Sequence, residues 1–266
     1  MHRRHVLAAA ALPALLVSAR ALTLGFPSLV AFGDSLSDNG NAGRFSDGPV
    51  WVEHLAVSLG VELLPSRQGG TNHAVGGALA AGGPHALAGQ VRDYLAVRRG
   101  AADQAALHTV WAGGNDLLAA GFSPDPRGAA ERAGAAVGDA VHLLVEAGAR
   151  TILVPNLPDI GMTPALRSAG RAVAAEADRL SAVYRTALTR ALDRAEAGGR
   201  ATLLRLDVAA LAARVLADPA AAGFTSLAEP CLGHGRCDGH LFWDSIHPTS
   251  RAHARLAAAA LDLLGS

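Results

Sequence analysis

The chain has 266 residues, 50% of them apolar and 4% aromatic, and carries 23 basic and 23 acidic side chains. That hydrophobicity excludes an intrinsically disordered chain, and the balanced charge argues against a nucleic-acid partner. Two Cys are too few for a disulfide scaffold, which leaves a globular protein of one domain or at most two.

The charge is unevenly distributed at the start. No acid precedes Asp34, whereas Arg3, Arg4 and Arg20 do. Residues 6–17 are almost wholly apolar, a stretch too short to span a bilayer comfortably. Ala19-Arg20-Ala21 then offers a small-residue cleavage site. Residues 1–21 therefore read as a signal peptide, and Arg3-Arg4-His5-Val6-Leu7 resembles the twin-arginine type. The alternative is a buried N-terminal helix. Cleavage after Ala21 would leave residues 22–266 with 20 Arg against 23 acids. No later apolar run is long and charge-free enough to predict a transmembrane segment.

Short β-rich runs alternate with longer Ala-rich helical patterns. Ser28 to Phe32 reads as a buried strand ending at Gly33. Val50 to Leu59 has helical spacing, and Val61-Glu62-Leu63-Leu64 reads as a second strand. Residues 69–84 are Gly-rich and predict a loop. A helix follows over 85–99, with Leu87, Val91, Tyr94 and Leu95 on one side. Leu107 to Ala112 is a strand that stops at Gly113-Gly114. A helix over 127–147 precedes the strand Thr151-Ile152-Leu153-Val154. One long helix is expected over about 165–197, then a strand from Thr202 to Leu206. A helix at 208–217, a loop at 219–246 and a terminal helix from Thr249 to Leu264 complete the chain. This alternation predicts one three-layer α/β/α domain over 22–266, around a mostly parallel five-stranded sheet. Ligands in such sheets bind at the carboxyl ends of the strands.

Four polar blocks stand at such places. Gly33-Asp34-Ser35-Leu36-Ser37-Asp38 follows the first strand, where a Ser is exposed enough to act as a nucleophile. Ser and Asp are also ordinary turn and capping residues there. Asp244-Ser245-Ile246-His247-Pro248 puts a carboxylate three residues before an imidazole, so one ring nitrogen can be held while the other takes a proton. A capping Asp beside a surface His fits the same spacing. Trp111-Ala112-Gly113-Gly114-Asn115-Asp116 offers a side-chain amide to an oxyanion, or is simply a turn. Asn72-His73-Ala74-Val75-Gly76-Gly77-Ala78 lets the backbone approach a ligand closely.

Taken in order, these blocks resemble the SGNH hydrolases, also called GDSL esterases and lipases. Phe32 to Asn41, Gly48-Pro49-Val50-Trp51, Val154 to Asp159 and Phe242 to Thr249 resemble the branch that includes plant GDSL lipases and bacterial lecithinase/hemolysin-like esterases. The resemblance spans residues 28–249 and implies a flavodoxin-like fold. It implies Ser35 as nucleophile, His247 as general base and then acid, and Asp244 as the group that orients His247. It implies an oxyanion hole made by the backbone N–H of Ser35, the backbone N–H of Gly77 and the Asn115 side chain. His73 stands where that branch usually has Phe or Tyr. Relatives in this branch can carry a C-terminal β-barrel, for which the short stretch after His247 is expected to leave no room.

Cys231 and Cys237 alternate with His234 and His240 at three-residue spacing, which can be drawn as a zinc site. Two nearby Cys in an exported protein favour a Cys231–Cys237 disulfide instead. The expectation is an exported serine esterase, periplasmic or extracellular, that hydrolyses a small-molecule or lipid ester through an acyl-enzyme. A lipase or phospholipase and a carbohydrate-ester deacetylase are the alternatives within that chemistry. A non-catalytic binding protein on the same fold is the rival outside it. No metal, organic cofactor or nucleic acid is expected.

Overall fold

The computed structural model describes residues 25–265, so the expected signal peptide at 1–21 lies outside the described residues. Four strands form one sheet in the order β1 (Leu29–Gly33), β2 (Leu107–Trp111), β3 (Thr151–Pro155), β4 (Thr202–Leu206), all parallel. Every residue of β1 and β2 is buried, which is why these strands read as apolar runs rather than alternating ones. The edge strand β4 instead keeps Arg205 half-exposed, paired with Asp193 and Glu196.

Helices cover the sheet. They are α1 (Trp51–Leu59), α2 (Leu87–Val97), α3 (Gly114–Ala120), α4 (Pro126–Glu146), α5 (Pro164–Ser168), α6 (Arg171–Glu196), α7 (Val208–Ala217) and α8 (Ser250–Leu264). α4 packs along α6 and against α2 and α3, whereas α1 packs on α8, giving a helical layer on each side. Sequence-readable caps start several of them. Asp125 accepts from the Gly128 N–H ahead of Pro126, and Asp207 accepts from the Ala210 N–H. Thr249 accepts from the Ala252 N–H at the start of α8.

The structure departs from the expected elements in three places. The sheet has four strands, not five. Val61 to Leu64 is irregular and only half-buried, and Pro65, which has no N–H to donate, follows it. The edge of β1 is covered instead by Thr71 to Val75. The Ala31 N–H donates to Thr71, and the N–H groups of His73 and Val75 donate to Ala31 and Gly33. This loop runs parallel to β1 but forms only single bridges, from Asn72 to Ala31 and to Pro65. The long helix expected over 165–197 is divided at Gly170, whose φ of 114° is outside the helical range. Gly113-Gly114-Asn115-Asp116, where the sequence leaves an oxyanion donor and a simple turn both open, begins α3, a helix the sequence pattern does not announce. Among the described residues, no helix is long and apolar enough to cross a membrane.

Candidate active site

Ser35 lies two residues beyond Gly33, the last residue of β1. The buried Gln90 side chain clamps that residue, accepting from the Gly33 N–H at 2.9 Å and donating to its carbonyl at 2.7 Å. Asp34 then closes a tight turn. Its carbonyl accepts from Ser37 and Asp38, and its carboxylate accepts from the Leu36 N–H at 3.0 Å. Ser35 is left at the surface of this turn with 6% exposure, and its own N–H has no partner among the described residues.

The second block meets it from the far end of the chain. Asp244 Oδ1 accepts from the backbone N–H groups of Ile246 (2.8 Å) and His247 (2.6 Å). Its Oδ2 lies 2.7 Å from His247 Nδ1, and His247 Nε2 lies 2.8 Å from Ser35 Oγ. The structure thus brings Ser35, His247 and Asp244 into one hydrogen-bonded line. The rings of Phe45 and Trp243 flank the imidazole, with centroids 5.2 Å and 6.5 Å away.

A braced loop carries the His247 turn. Trp243 N–H donates to the His247 carbonyl, closing a hairpin-like bend. Cys231 and Cys237 are joined in a disulfide, so neither sulfur is a free thiolate for a metal. From within that small ring, the N–H groups of Cys231 and Leu232 donate to the carbonyls of Phe242 and Trp243. The Ala165 N–H of α5 adds a bond to the Ser245 carbonyl. No cluster of three metal-ligating side chains occurs among the described residues.

Asn115 sits in the first turn of α3, and its Nδ2 donates to the Ala78 carbonyl at 3.0 Å. An amide nitrogen has two protons, so one donor remains. Its position rests on Gly113 (φ 118°), where a Cβ would fall 2.5 Å from the Tyr184 ring. The Tyr184 hydroxyl donates to the Ala112 carbonyl at 2.6 Å, so a buried side chain of α6 supports this loop from below. Gly77 has a φ of 79°, and its N–H has no partner among the described residues.

Asp38 is a neighbour of the Ser35 turn to which the sequence assigns no role. It is fully buried, and its carboxylate accepts from four backbone N–H groups. Oδ1 takes Gly40 (2.8 Å) and Asn41 (2.7 Å), and Oδ2 takes Ala42 (2.9 Å) and Gly76 (2.8 Å). The last bond ties the Ser35 turn to the Gly76-Gly77 loop. It also consumes the Gly76 N–H and leaves that of Gly77 free. Asn41 and Asn72 reinforce the tie: Asn41 donates to the Asn72 and Ala74 carbonyls, and Asn72 donates to Ser37. The available signal is the Asp-Asn-Gly-Asn run at 38–41, a turn sequence in which Asp38 accepts locally from Gly40, Asn41 and Ala42 and keeps one oxygen within reach of the distant Gly76. Phe45 was missed as well: its ring fills the space beside Gly76, where a Cβ would fall 2.3 Å away. His73 occupies the expected aromatic place, stacked on Phe32 at 5.4 Å and edge-on to Tyr94.

The electrostatics differ from carboxyl to carboxyl. Burial pushes the Asp34 carboxyl up to about 7, against the Leu36 N–H and His247, which pull it down. Burial also raises Asp116, although the Ala81 and Ala80 N–H groups oppose it. For Asp244, burial is outweighed by the His247 ring and two backbone N–H groups, which hold it below the ordinary carboxylate range. Asp244 is therefore an anion at neutral pH, in contact with the imidazole. A cavity of about 160 Å³ opens beside Ser35 and His247, with walls that are almost entirely apolar.

The site and the fold have counterparts in known proteins. A family model described as GDSL-like Lipase/Acylhydrolase matches residues 29–260. Lipase 1 of Photorhabdus luminescens is 38% identical over a match covering 61% of this chain and 27% of that protein. A phosphatidylcholine-sterol acyltransferase of Aeromonas hydrophila is 26% identical, with 96% of this chain and 95% of that protein covered. The chain thus spans little more than a quarter of Lipase 1 and nearly all of the acyltransferase. A catalytic mutant of an acetylxylan esterase from Geobacillus stearothermophilus superposes with a TM-score of 0.55 at 16% identity, covering 90% of this chain and 94% of the other, a likeness of fold alone. With its family model matched from the first strand into the last helix, the chain belongs to the GDSL-like lipase/acylhydrolase family.

Proposed function

We propose that the chain is an exported serine esterase, with residues 22–266 as one catalytic domain behind a signal peptide at 1–21. The observation that carries the reading is the relay of 2.7 Å and 2.8 Å contacts from Asp244 through His247 to Ser35. The Asp244 contact keeps the imidazole proton on Nδ1, so Nε2 is the acceptor facing Ser35. As Ser35 Oγ attacks the ester carbonyl carbon, its proton passes to Nε2. The carbonyl oxygen gains the charge and is met by the free N–H groups of Ser35 and Gly77 and by the spare Asn115 donor. When the tetrahedral intermediate collapses, His247 returns the proton to the leaving alcohol, and Ser35 keeps the acyl group. Water then repeats the sequence and releases the acid.

Export is supported by the arginine-led apolar N-terminus and by the Cys231–Cys237 bond, which persists in oxidising compartments. A lipid ester is favoured over a carbohydrate ester as substrate by the apolar walls beside Ser35. The test is hydrolysis of chromogenic carboxylic esters by the wild type and by Ser35→Ala. Wild-type turnover that disappears in the folded variant supports the reading. Full activity in Ser35→Ala, or an inert wild type, overturns it.

A further inference from the structure

The cavity beside Ser35 has a composition that the reaction itself does not require. Its reacting end holds Ser35, His247 and Asn115. Away from that end it runs between α7 and α8, along Leu211, Val215, Phe224, Leu241, Phe242 and Leu256. Three of its sides come from different elements: the turn after β3 supplies Leu157 and Ile160, α7 supplies Val208 and Val215, and α8 supplies Ala252 and Leu256. Val215, Phe224, Leu241, Phe242 and Ala252 form a small apolar cluster apart from the main core. These side chains pack around the cavity without filling it. Close-packed interiors leave few such voids, so an apolar space that opens onto a nucleophile is a ligand space.

We infer that this cavity is an acyl-chain pocket, and that the enzyme prefers esters of medium or longer fatty acids to acetate. The inference rests on the serine-esterase reading above. Alkyl chemistry follows from the walls. Apart from Asp34 and His247 beside Ser35, the only charged side chain lining the cavity among the described residues is Arg255, which is exposed and donates to the Ala222 carbonyl. A sugar placed there would lose its water and meet few polar side chains, the Thr163 hydroxyl and Arg255 beyond the reacting end, which is costly, whereas an alkyl chain loses nothing. The acyl half is the better occupant on mechanistic grounds. The alcohol departs after the first step, while the acyl group stays on Ser35 through both steps, so a buried pocket for it acts on the whole cycle. An acetyl group would leave the far end of the cavity empty. Each methylene moved from water into such a pocket strengthens transition-state binding by about fourfold at best. Val215 and Phe224 are the specificity-determining side chains, because they line the cavity from the separate cluster rather than from the reacting end.

The experiment compares kcat/KM for p-nitrophenyl esters of 2, 4, 8 and 12 acyl carbons, with a second series of acetates made from 1-butanol and 1-octanol. The expected result is an octanoate-to-acetate ratio of at least about tenfold in the wild type, with no comparable gain from lengthening the alcohol. Val215→Trp, which fills the far end, should lower that ratio by about tenfold or more. Phe224→Ala, which enlarges it, should move the optimum to a longer chain, so the test stands if one variant misfolds. A wild type that is active but prefers acetate overturns the inference while leaving the esterase reading intact. An equal gain from the longer alcohol, or an unchanged ratio in both folded variants, also overturns it. A wild type inert on every ester refutes the underlying reading instead.

Discussion

Asp244 holds His247 twice. One carboxylate oxygen meets the ring Nδ1 at 2.7 Å, and the other accepts from the His247 backbone N–H at 2.6 Å. The same carboxylate therefore shapes the turn and orients the imidazole. In Asp244→Asn, the amide oxygen can still accept from the backbone, so the turn should survive. The ring contact would then offer an N–H to Nδ1, which moves the imidazole proton to Nε2 and removes the base facing Ser35. The expected loss in kcat is about 10³–10⁴-fold with a near-wild-type melting temperature, as is typical when the orienting carboxylate of a Ser-His-Asp system is replaced. Steady-state kinetics and a thermal melt on the same preparation check both halves.

Of the three proposed oxyanion donors, Asn115 is the one that mutation can delete directly, because the other two are backbone groups. Asn115→Ala should lower kcat by about 10²–10³-fold and change KM little, since the oxyanion exists only in the transition state. A loss expressed mainly in KM would assign Asn115 to ground-state binding. The variant also loses the bond to Ala78, so Asn115→Asp serves as a companion. It is closer in shape, but it places an acceptor and a charge where a donor is needed.

Asp38 acts through the Gly76-Gly77 loop. Its four N–H partners need a group that accepts on both oxygens. Asp38→Asn turns one oxygen into a donor that faces two N–H groups, so either Gly40 and Asn41 or Ala42 and Gly76 are released. If the Gly76 tie breaks, the Gly77 N–H leaves its place, and kcat should fall by about 10–10²-fold with KM nearly constant. A purely structural role would lower the melting temperature and leave the kcat of the folded fraction unchanged, and active-site titration separates these outcomes.

The residues legible in the sequence were those whose partners are either very near or fixed by the fold class. Asp244 and His247 stand three apart, so their contact was local arithmetic. Ser35, Asn115 and Gly77 each follow a strand or its neighbouring loop, and parallel topology delivers them to one end of the sheet. The missing fifth strand was unreadable for a tertiary reason. Thr71 to Val75 looks like a Gly-flanked loop, yet it satisfies the edge of β1, while the strand-like Val61 to Leu64 stays half-exposed beside Pro65. The break at Gly170 was visible as a glycine, but a single glycine within a helical pattern is often tolerated. Asp38 was hidden because its decisive partner, Gly76, lies 38 residues away.

Asp34 makes stability depend on pH in one direction. Burial, its largest influence, raises the carboxyl to about 7, whereas in the unfolded chain it titrates near the ordinary aspartate value of 3.8. The native state therefore holds this proton after the unfolded state has lost it. The associated stability is complete below about pH 4 and is lost as pH rises through about 7. Asp34→Asn removes that dependence, so it should raise the urea midpoint above pH 7 more than at pH 5. A variant shifted equally at both pH values would show that the Asp34 proton is not the cause.

His253 imposes the opposite slope. It lies fully buried in α8, and burial, aided by His54, His247 and Arg44, depresses its imidazole to about 3. His108 in β2 is depressed to about 4, again chiefly by burial. In the unfolded chain both take a proton near pH 6.5, while in the native state they stay neutral. The unfolded state thus binds more protons over the window from about 6.5 down to 3–4, and acid destabilises the fold throughout it. Each pH unit across that window costs ~1.4 kcal/mol per histidine at most. Neither ring nitrogen of His253 has a hydrogen-bond partner among the described residues, so an apolar replacement removes none of their bonds. His253→Leu should therefore flatten the fall of the urea midpoint between pH 7 and pH 4, with its largest gain at the acid end. Equal slopes for the wild type and the variant would mean that His253 takes up its proton without unfolding.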